Sequence, residues 1–477
     1  VRLRALGGLI GLVATAVGIV LAASPASALN VVNVTTTADG GAGSLRAAFS
    51  TANTDADDTE IVLQAGATYE LSTCPGTDED ANADGDLDHL SADDLTITGN
   101  SATIRQTCAG ERVVDDLGLG AFTITDLTIT GGDTDSDGGG IRTASPFSMT
   151  GSIITANRAD GDGGGVQSDG GATVTDSLVE LNTAGGEGGG LDLTGGGTSS
   201  TVTRAVISNN DAGGRGGGMA ASGGGATLVL TDSFISGNTG DEEGGGVSAS
   251  GGGVTATVSG STFANNAVAT GVGGGLASFG GGSTVEITNS TFTGNLADHG
   301  GGLATGGAGT QTLRHLTFLE DAARISGSEL TDNFGTNNTG FSAITMFGTI
   351  LQEFDHTVCQ LSDPVTSEGY NVESGDSCGL GGGPGDFTGF DGELFEPLAD
   401  NGGATPTLLP TFGSSIVDAI PVADCSPTVT DDQRDVSRPQ DAGCDIGAVE
   451  GQAAEEPTEP PEPPVVGPIA GQPPFTG

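Results

Sequence analysis

The sequence predicts an all-β chain wound as a parallel β-helix, and three observations predict it. An Asn recurs at Asn157, Asn182, Asn210, Asn238, Asn266 and Asn295, at spacings of 25, 28, 28, 28 and 29 residues. Glycine triplets begin at Gly138, Gly163, Gly188, Gly216, Gly244, Gly273 and Gly300. Behind them stand Ile141, Val166, Leu191, Met219, Val247, Leu276 and Leu303. A fixed period in the twenties marks a solenoid, whose coils bury an apolar face only by stacking.

Each part of the repeat has a physical reason. Gly, Thr, Ser and Asn dominate it, and they disfavour helix. Short alternating runs at 173–175, 233–236 and 284–288 put every second side chain on one face, as strands do. A repeat of about 28 residues holds three short strands and three turns, one coil. Glycine suits the bend because it tolerates positive φ. The Asn visits the left-handed region readily, and its amide can hydrogen-bond up and down a stack. A leucine-rich repeat would need Leu at several fixed positions, and a calcium β-roll would need G-G-x-G-x-D nonapeptides. Neither is present.

The chain divides accordingly. Residues 1–28 read as a secretory signal: Arg2 and Arg4, an apolar run over 6–23, then Ala26-Ser27-Ala28. An uncleaved anchor is the alternative. Residues 29–94 form an N-terminal cap and first strands. Ser44 is a good N-cap for a short helix with Leu45, Phe49 and Ala52 on one face. Such a helix can plug the open end of the stack. The coils run over 95–350. Residues 351–450 form a disulfide-bearing C-terminal cap with four of the six cysteines. Residues 451–477 are rich in Pro and Glu and read as a disordered spacer.

Composition narrows the function. The net charge is −49, and all thirteen basic residues are Arg. Such a surface repels nucleic acid and anionic lipid. With no Trp and two Tyr, the chain is poorly equipped to stack sugar rings. Six cysteines in an exported chain suggest disulfides, and fifteen pairings are possible. Neighbours in sequence give Cys74–Cys108, Cys359–Cys378 and Cys425–Cys444. No Cys/His spacing suggests zinc, since His89, His299, His315 and His356 are scattered.

Two stretches invite structural Ca2+. From Asp80, oxygen ligands fall at Asp80, Asn82 and Asp84, with Gly85 sixth and Asp88 ninth, and Asp86 lies between. That is the first half of a calcium loop, without its closing Glu. The plainer reading is an acidic turn. The second stretch is a column. Before the glycines stand Asp137, Asp162, Glu187, Arg215, Glu243, Val272 and His299. Stacked roughly 4.8 Å apart, they would repel one another. Asp135, Asp137, Asp160 and Asp162 are then the expected cation ligands. Screened carboxylates splayed into solvent are the equal alternative.

Resemblances add to this. Ser44-Leu45-Arg46-Ala47-Ala48, with Ala52-Asn53 and Tyr69-Glu70-Leu71, resembles the CSLREA-type N-terminal module of bacterial surface proteins. Phe263-Ala264-Asn265-Asn266 and Phe292-Thr293-Gly294-Asn295, with the glycine triplets, are similar to the repeats of polymorphic outer membrane proteins. Asp432-Gln433-Arg434, Arg438-Pro439 and Cys444-Asp445-Ile446-Gly447-Ala448-Val449-Glu450 resemble the choice-of-anchor Q module, with Asp435 where that family usually has Gly. There the two motifs close the β-helix. The closing Pro474-Phe475-Thr476-Gly477 is similar to a sortase signal, with chance likeness the competing reading. Together the resemblances imply a right-handed, pectate-lyase-like solenoid on a secreted or wall-attached protein. They imply no defined chemistry.

The functional expectation is a non-enzymatic, monomeric adhesin-like or structural envelope component with cell-surface or matrix ligands. The alternative is a polysaccharide lyase or glycoside hydrolase, since this scaffold hosts both. A lyase of this kind needs a Lys or Arg base beside a calcium–carboxylate cluster. The chain has no Lys, and Arg142, Arg158, Arg204 and Arg215 are expected as partners for surface acids. Asp93-Asp94 and Asp115-Asp116 show no partner set in sequence.

Overall fold

The computed structural model describes residues 29–74, 82–332, 342–353, 357–380, 382–390, 392 and 394–451. The expected signal, Asp80, His356 and the tail beyond Gly451 lie outside the described residues. Three parallel sheets of 24, 11 and 8 strands run along one axis. One coil shows the plan: Thr227–Thr231, Phe234–Ser236, Thr239–Gly240 and Val247–Ser248. We call their stacks the first to fourth ladders. The expected three strands per coil are four, because one of them breaks at a left-handed residue such as Asp232, φ 52°. In the early strands Leu95–Gln106 and Phe122–Thr130 the chain runs through both of the first two ladders.

Register is strict. In the first ladder Val174, Val202, Leu230, Val258, Ile287 and Leu313 lie in one buried file. In the fourth, Ile141 through Leu303 do the same, continuing to Leu330. Phe263, Phe292 and Phe318 stack in the second, with centroids 4.6 and 4.7 Å apart. The ladders continue past residue 350 through Thr366–Gly369, Val372–Glu373 and Phe387–Thr388.

The asparagines form the expected ladder, by a different backbone device. The left-handed residue is the one before each Asn: Ala156, Leu181, Asn209, Gly237, Asn265 and Gly294. That turn aims the next side chain inward. Asn182 then gives its backbone N–H and its Nδ2 to Asn210 Oδ1, both at 3.0 Å, and a further Nδ2 bond to the Ile154 carbonyl at 3.0 Å. The same pattern joins every pair from Asn157 to Asn295. Each amide is buried and satisfied on both sides.

The glycine triplets align in one column, and each member is required. Gly188 sits at φ 65°, where a Cβ would meet the Leu191 carbonyl at 2.5 Å. A Cβ on Gly189 would meet the next coil's Gly217 carbonyl at 2.3 Å, and one on Gly190 would press the Asn210 amide at 3.0 Å. The triplet is therefore the floor on which the next coil's asparagine rests.

The ladder ends in acid. Asn295 gives its N–H and Nδ2 to Asp321 Oδ1, both at 2.7 Å. In the same coil Gly327-Ser328-Glu329 replaces the triplet, so Glu329 stands where the third glycine would be. Asp321 and Glu329 are both fully buried and face each other. Burial raises the Asp321 carboxyl to about 7, and burial with the Asp321 charge pushes Glu329 well above its usual range. Two carboxylates cannot both ionise in such a place, so the pair holds a proton.

The ends of the chain close differently. Helix α1, Leu45–Ala52, forms as expected; the Ser44 side chain accepts from the Ala47 N–H, and Leu45, Phe49 and Ala52 are buried. All three local disulfides are present. The Cys359–Cys378 loop lies at the C-terminal end of the main core. The motifs around Gln433 and Arg438, however, fold back along the flank instead of closing the end. Gln433 Nε2 donates to Thr262 Oγ1 at 2.7 Å and Thr405 Oγ1 at 3.0 Å, and its Oε1 accepts from Thr291 Oγ1 at 2.6 Å. The Ala448 N–H reaches Thr317 Oγ1 at 3.0 Å. The reason is a second apolar cluster: Leu394, Ile416, Ile420 and Ile446 bury against Phe347 and Ile350 on the outside of the late coils. Asp435 takes φ 63°, which explains why Gly would suit that position.

Two outcomes follow for stability. Asn210→Ala leaves the Asn182 donors and the Val179 carbonyl unmatched, and chemical denaturation should show a loss of about 2–3 kcal/mol. Asp321→Asn should extend the ladder. The native pair holds a proton that the unfolded chain releases above pH 4, so the parent loses stability as pH rises from about 4 to about 7. The variant's melting temperature should exceed the parent's at pH 8 and approach it at pH 4.

Candidate functional site

The residues expected to bind calcium gather at the N-terminal coils, and guanidinium groups meet them there. Arg46, on α1, is buried. It donates from Nη1 to the carbonyls of Asp84 and Asp86, each at 2.8 Å, and from Nη2 to Gly85 at 2.6 Å. Its Nε reaches Asp39 Oδ1 at 2.7 Å. The acidic turn thus wraps its carbonyl oxygens around an arginine. Asn82 spends its amide on the backbone of Asp88, accepting from the N–H and donating to the carbonyl, both at 2.8 Å.

Strand register brings in a partner from elsewhere. Leu87–His89 pairs with Val114–Asp116, so Asp88 lies beside Asp115, and the next strand, Ile141–Thr143, sets Arg142 beside Asp115. Carboxylate oxygens of Asp86, Asp88 and Asp115 lie within 4.8 Å of one another, all buried. Arg142 grips Asp115 with Nε at 2.8 Å and Nη2 at 2.6 Å. Arg112 Nη1 adds a bond to Asp115 at 2.6 Å and reaches Asp86 at 3.5 Å. A fork-to-fork pair of this kind satisfies a carboxylate well. The three carboxylates are close enough for a cation, but two guanidiniums already supply positive charge and take both Asp115 oxygens. In the adjacent inward file, Asp116 accepts from Thr143 Oγ1 at 2.6 Å and lies 2.7 Å from His89 Nδ1. Thr143 does not touch the imidazole through any bond described, and all three side chains are sealed in the core, so this is no nucleophile–base pair.

The second set of expected ligands lies on the neighbouring edge. Asp135 lines, with Asp86, Arg112 and Arg142, a cleft of about 270 Å³. Asp137 Oδ1 accepts from the Asp162 N–H at 2.9 Å, and Asp162 Oδ1 from the Glu187 N–H at 2.6 Å. These carboxylates tie one coil's backbone to the next. Asp160 pairs with Arg158, which also holds Asp133 at 3.1 Å. Arg215 stands among Glu187, Glu242 and Glu243 at 3.3–3.9 Å.

Of the sites expected from sequence, the structure brings Asp86 and Asp88 together and sets Asp135 in a cleft that Asp86 also lines. It places Asn82, Asp137 and Asp162 on backbone groups and Asp160 on an arginine. Asp115, thought to lack a partner set, is the hub. Sequence reasoning missed the hub because Asp115 meets Arg142 across 27 residues and Arg112 meets Asp86 across 26, separations that become contacts only through coil stacking.

Among known proteins, a family model described as right handed beta helix region matches residues 150–318. The coils are right-handed. A crystal structure of the pectate lyase Pel9A is similar at a TM-score of 0.45 and 14% identity, over 89% of this chain and 96% of that one. None of the curated proteins compared matches.

A calcium titration checks the cluster. Addition of calcium should leave the parent's melting temperature unchanged. Arg112→Gln with Arg142→Gln takes both guanidiniums from Asp115 and Arg112 from Asp86, and should melt lower, with calcium restoring part of the loss.

Proposed function

We propose that this protein is a non-catalytic rod that works outside the cytoplasm, as an adhesin-like or structural component of the cell envelope. One observation carries the reading. All eleven arginines among the described residues stand in ion pairs. The sequence has no Lys, so no strong base is left over to abstract a proton next to a uronate. The polar groups that converge do so to hold coils together. Three disulfides favour an oxidising compartment. No helix among the described residues is long and apolar enough to cross a membrane. The resemblance of the flank-bound motifs to the choice-of-anchor module supports display at the surface.

The test pairs location with activity. Fractionation of producing cells should find the protein in the envelope or medium. The purified chain, incubated with polyuronates and neutral polysaccharides, should release neither unsaturated products nor reducing ends. Release that Arg142→Gln abolishes would replace this reading with a polysaccharide lyase.

A further inference from the structure

The outward face of the first ladder carries a regular array of hydroxyl groups. Its first file runs Thr123, Ser148, Thr173 and Thr201, adjacent in register. Its second file, two residues further along each strand, is threonine throughout, from Thr125 to Thr203. Thr96 and Thr98 add a row at the N-terminal border, where Thr98 gives its hydroxyl to Glu60 at 2.7 Å. The rows are about 4.8 Å apart, and alternate residues along a strand about 6.6 Å apart.

This pattern exceeds what an exposed strand requires. In the same coils the second ladder's outward positions include Ile153, Leu178, Glu180 and Val206. Beyond these rows the first ladder is itself mixed, with Val229 next to Thr201 and Glu286 two coils further on, so the uniform hydroxyl array belongs to the N-terminal coils alone. No hydrogen bond among the described residues uses the side-chain hydroxyls of the four rows from Thr123 to Thr203. Neither file carries a charge there, in a chain of net charge −49. The C-terminal module leaves these rows open; its loop over 428–435 stands beside the later ones, at Thr231, Ser259 and Thr288.

We propose that this face binds ice. Each threonine offers a hydroxyl that donates and accepts, beside a methyl group that cannot. The parallel in-register sheet holds both in place before contact, so little ordering cost remains on binding. A two-dimensional array with fixed translations selects a partner with matching translations, and the lattice repeats of ice fall in the same range. Other partners fit less well. Ionic ligands would call for charge, sugar rings for aromatic platforms, and a protein for apolar or aromatic anchors. The face has none of these. The inference does not rest on the envelope role, since it concerns the isolated chain.

The full chain with its disulfides intact is placed in dilute solution with slowly growing ice, and its partition between ice and liquid is measured. The parent should be enriched in the ice. Thr150→Tyr with Thr175→Tyr should lose that enrichment, while Glu180→Tyr, on the neighbouring ladder, keeps it. Melting curves check that each variant folds; should the double variant not fold, Thr173→Tyr, at an exposed position, carries the same comparison. Exclusion of the parent from ice overturns the proposal. So does equal behaviour of the two faces, or retention of the parent on crystalline chitin or cellulose but not in ice.

Discussion

The buried asparagine ladder is the interaction on which the rest depends. Each amide fills the acceptors and donors of two neighbouring coils, and each rests on a glycine that can hold no side chain. The two features therefore specify each other. A larger residue at Gly190 would displace Asn210, and a shorter one at Asn210 would leave buried backbone groups unmatched. Once this column is fixed, the strands on either side have no freedom of register, and the aliphatic and phenylalanine files follow. The sequence leaves the pattern within one coil: Asp321 takes the asparagine's place, still resting on Gly302, and Glu329 takes the place of that coil's own third glycine.

Charge is handled by a second rule. A chain this acidic needs internal cations, and here they are arginines spaced by whole coils. Arg142 and Asp115 are 27 residues apart, and Arg204 and Asp176 are 28 apart. Arg46 does for the acidic turn what a metal does in a calcium loop: it collects backbone carbonyls around one positive group. A guanidinium is planar and permanently charged, so it can do this without a deprotonation step or a supply of ions.

Much of the fold was legible because repeat spacing maps directly onto stacking. The triplet column and the Asn ladder follow from position in the repeat, the helix from the Ser44 cap, and the disulfides from pairing cysteines that are neighbours in sequence. What was not legible depends on the third dimension. The residue at positive φ varies among Ala156, Leu181 and Asn209, so no single residue type marks it, and the asparagine drew the assignment instead. The Asp115 hub needs the contact between two coils. The flank-bound module needs a contact across 142 residues, between Gln433 and Thr291, which no local pattern announces. At the candidate site the acids were visible, but their partners were not.

The folded-back module fixes where the described chain leaves the rod. Gly451 lies against Val417 and Asp445, and Arg434, which holds the Glu450 carbonyl, adjoins the Gln433 that grips Thr262 and Thr291. That exit is on the side of the solenoid, several coils back from its C-terminal end. Whatever follows Gly451 therefore starts beside the long faces of the rod, as a branch leaves a trunk, and not at its tip.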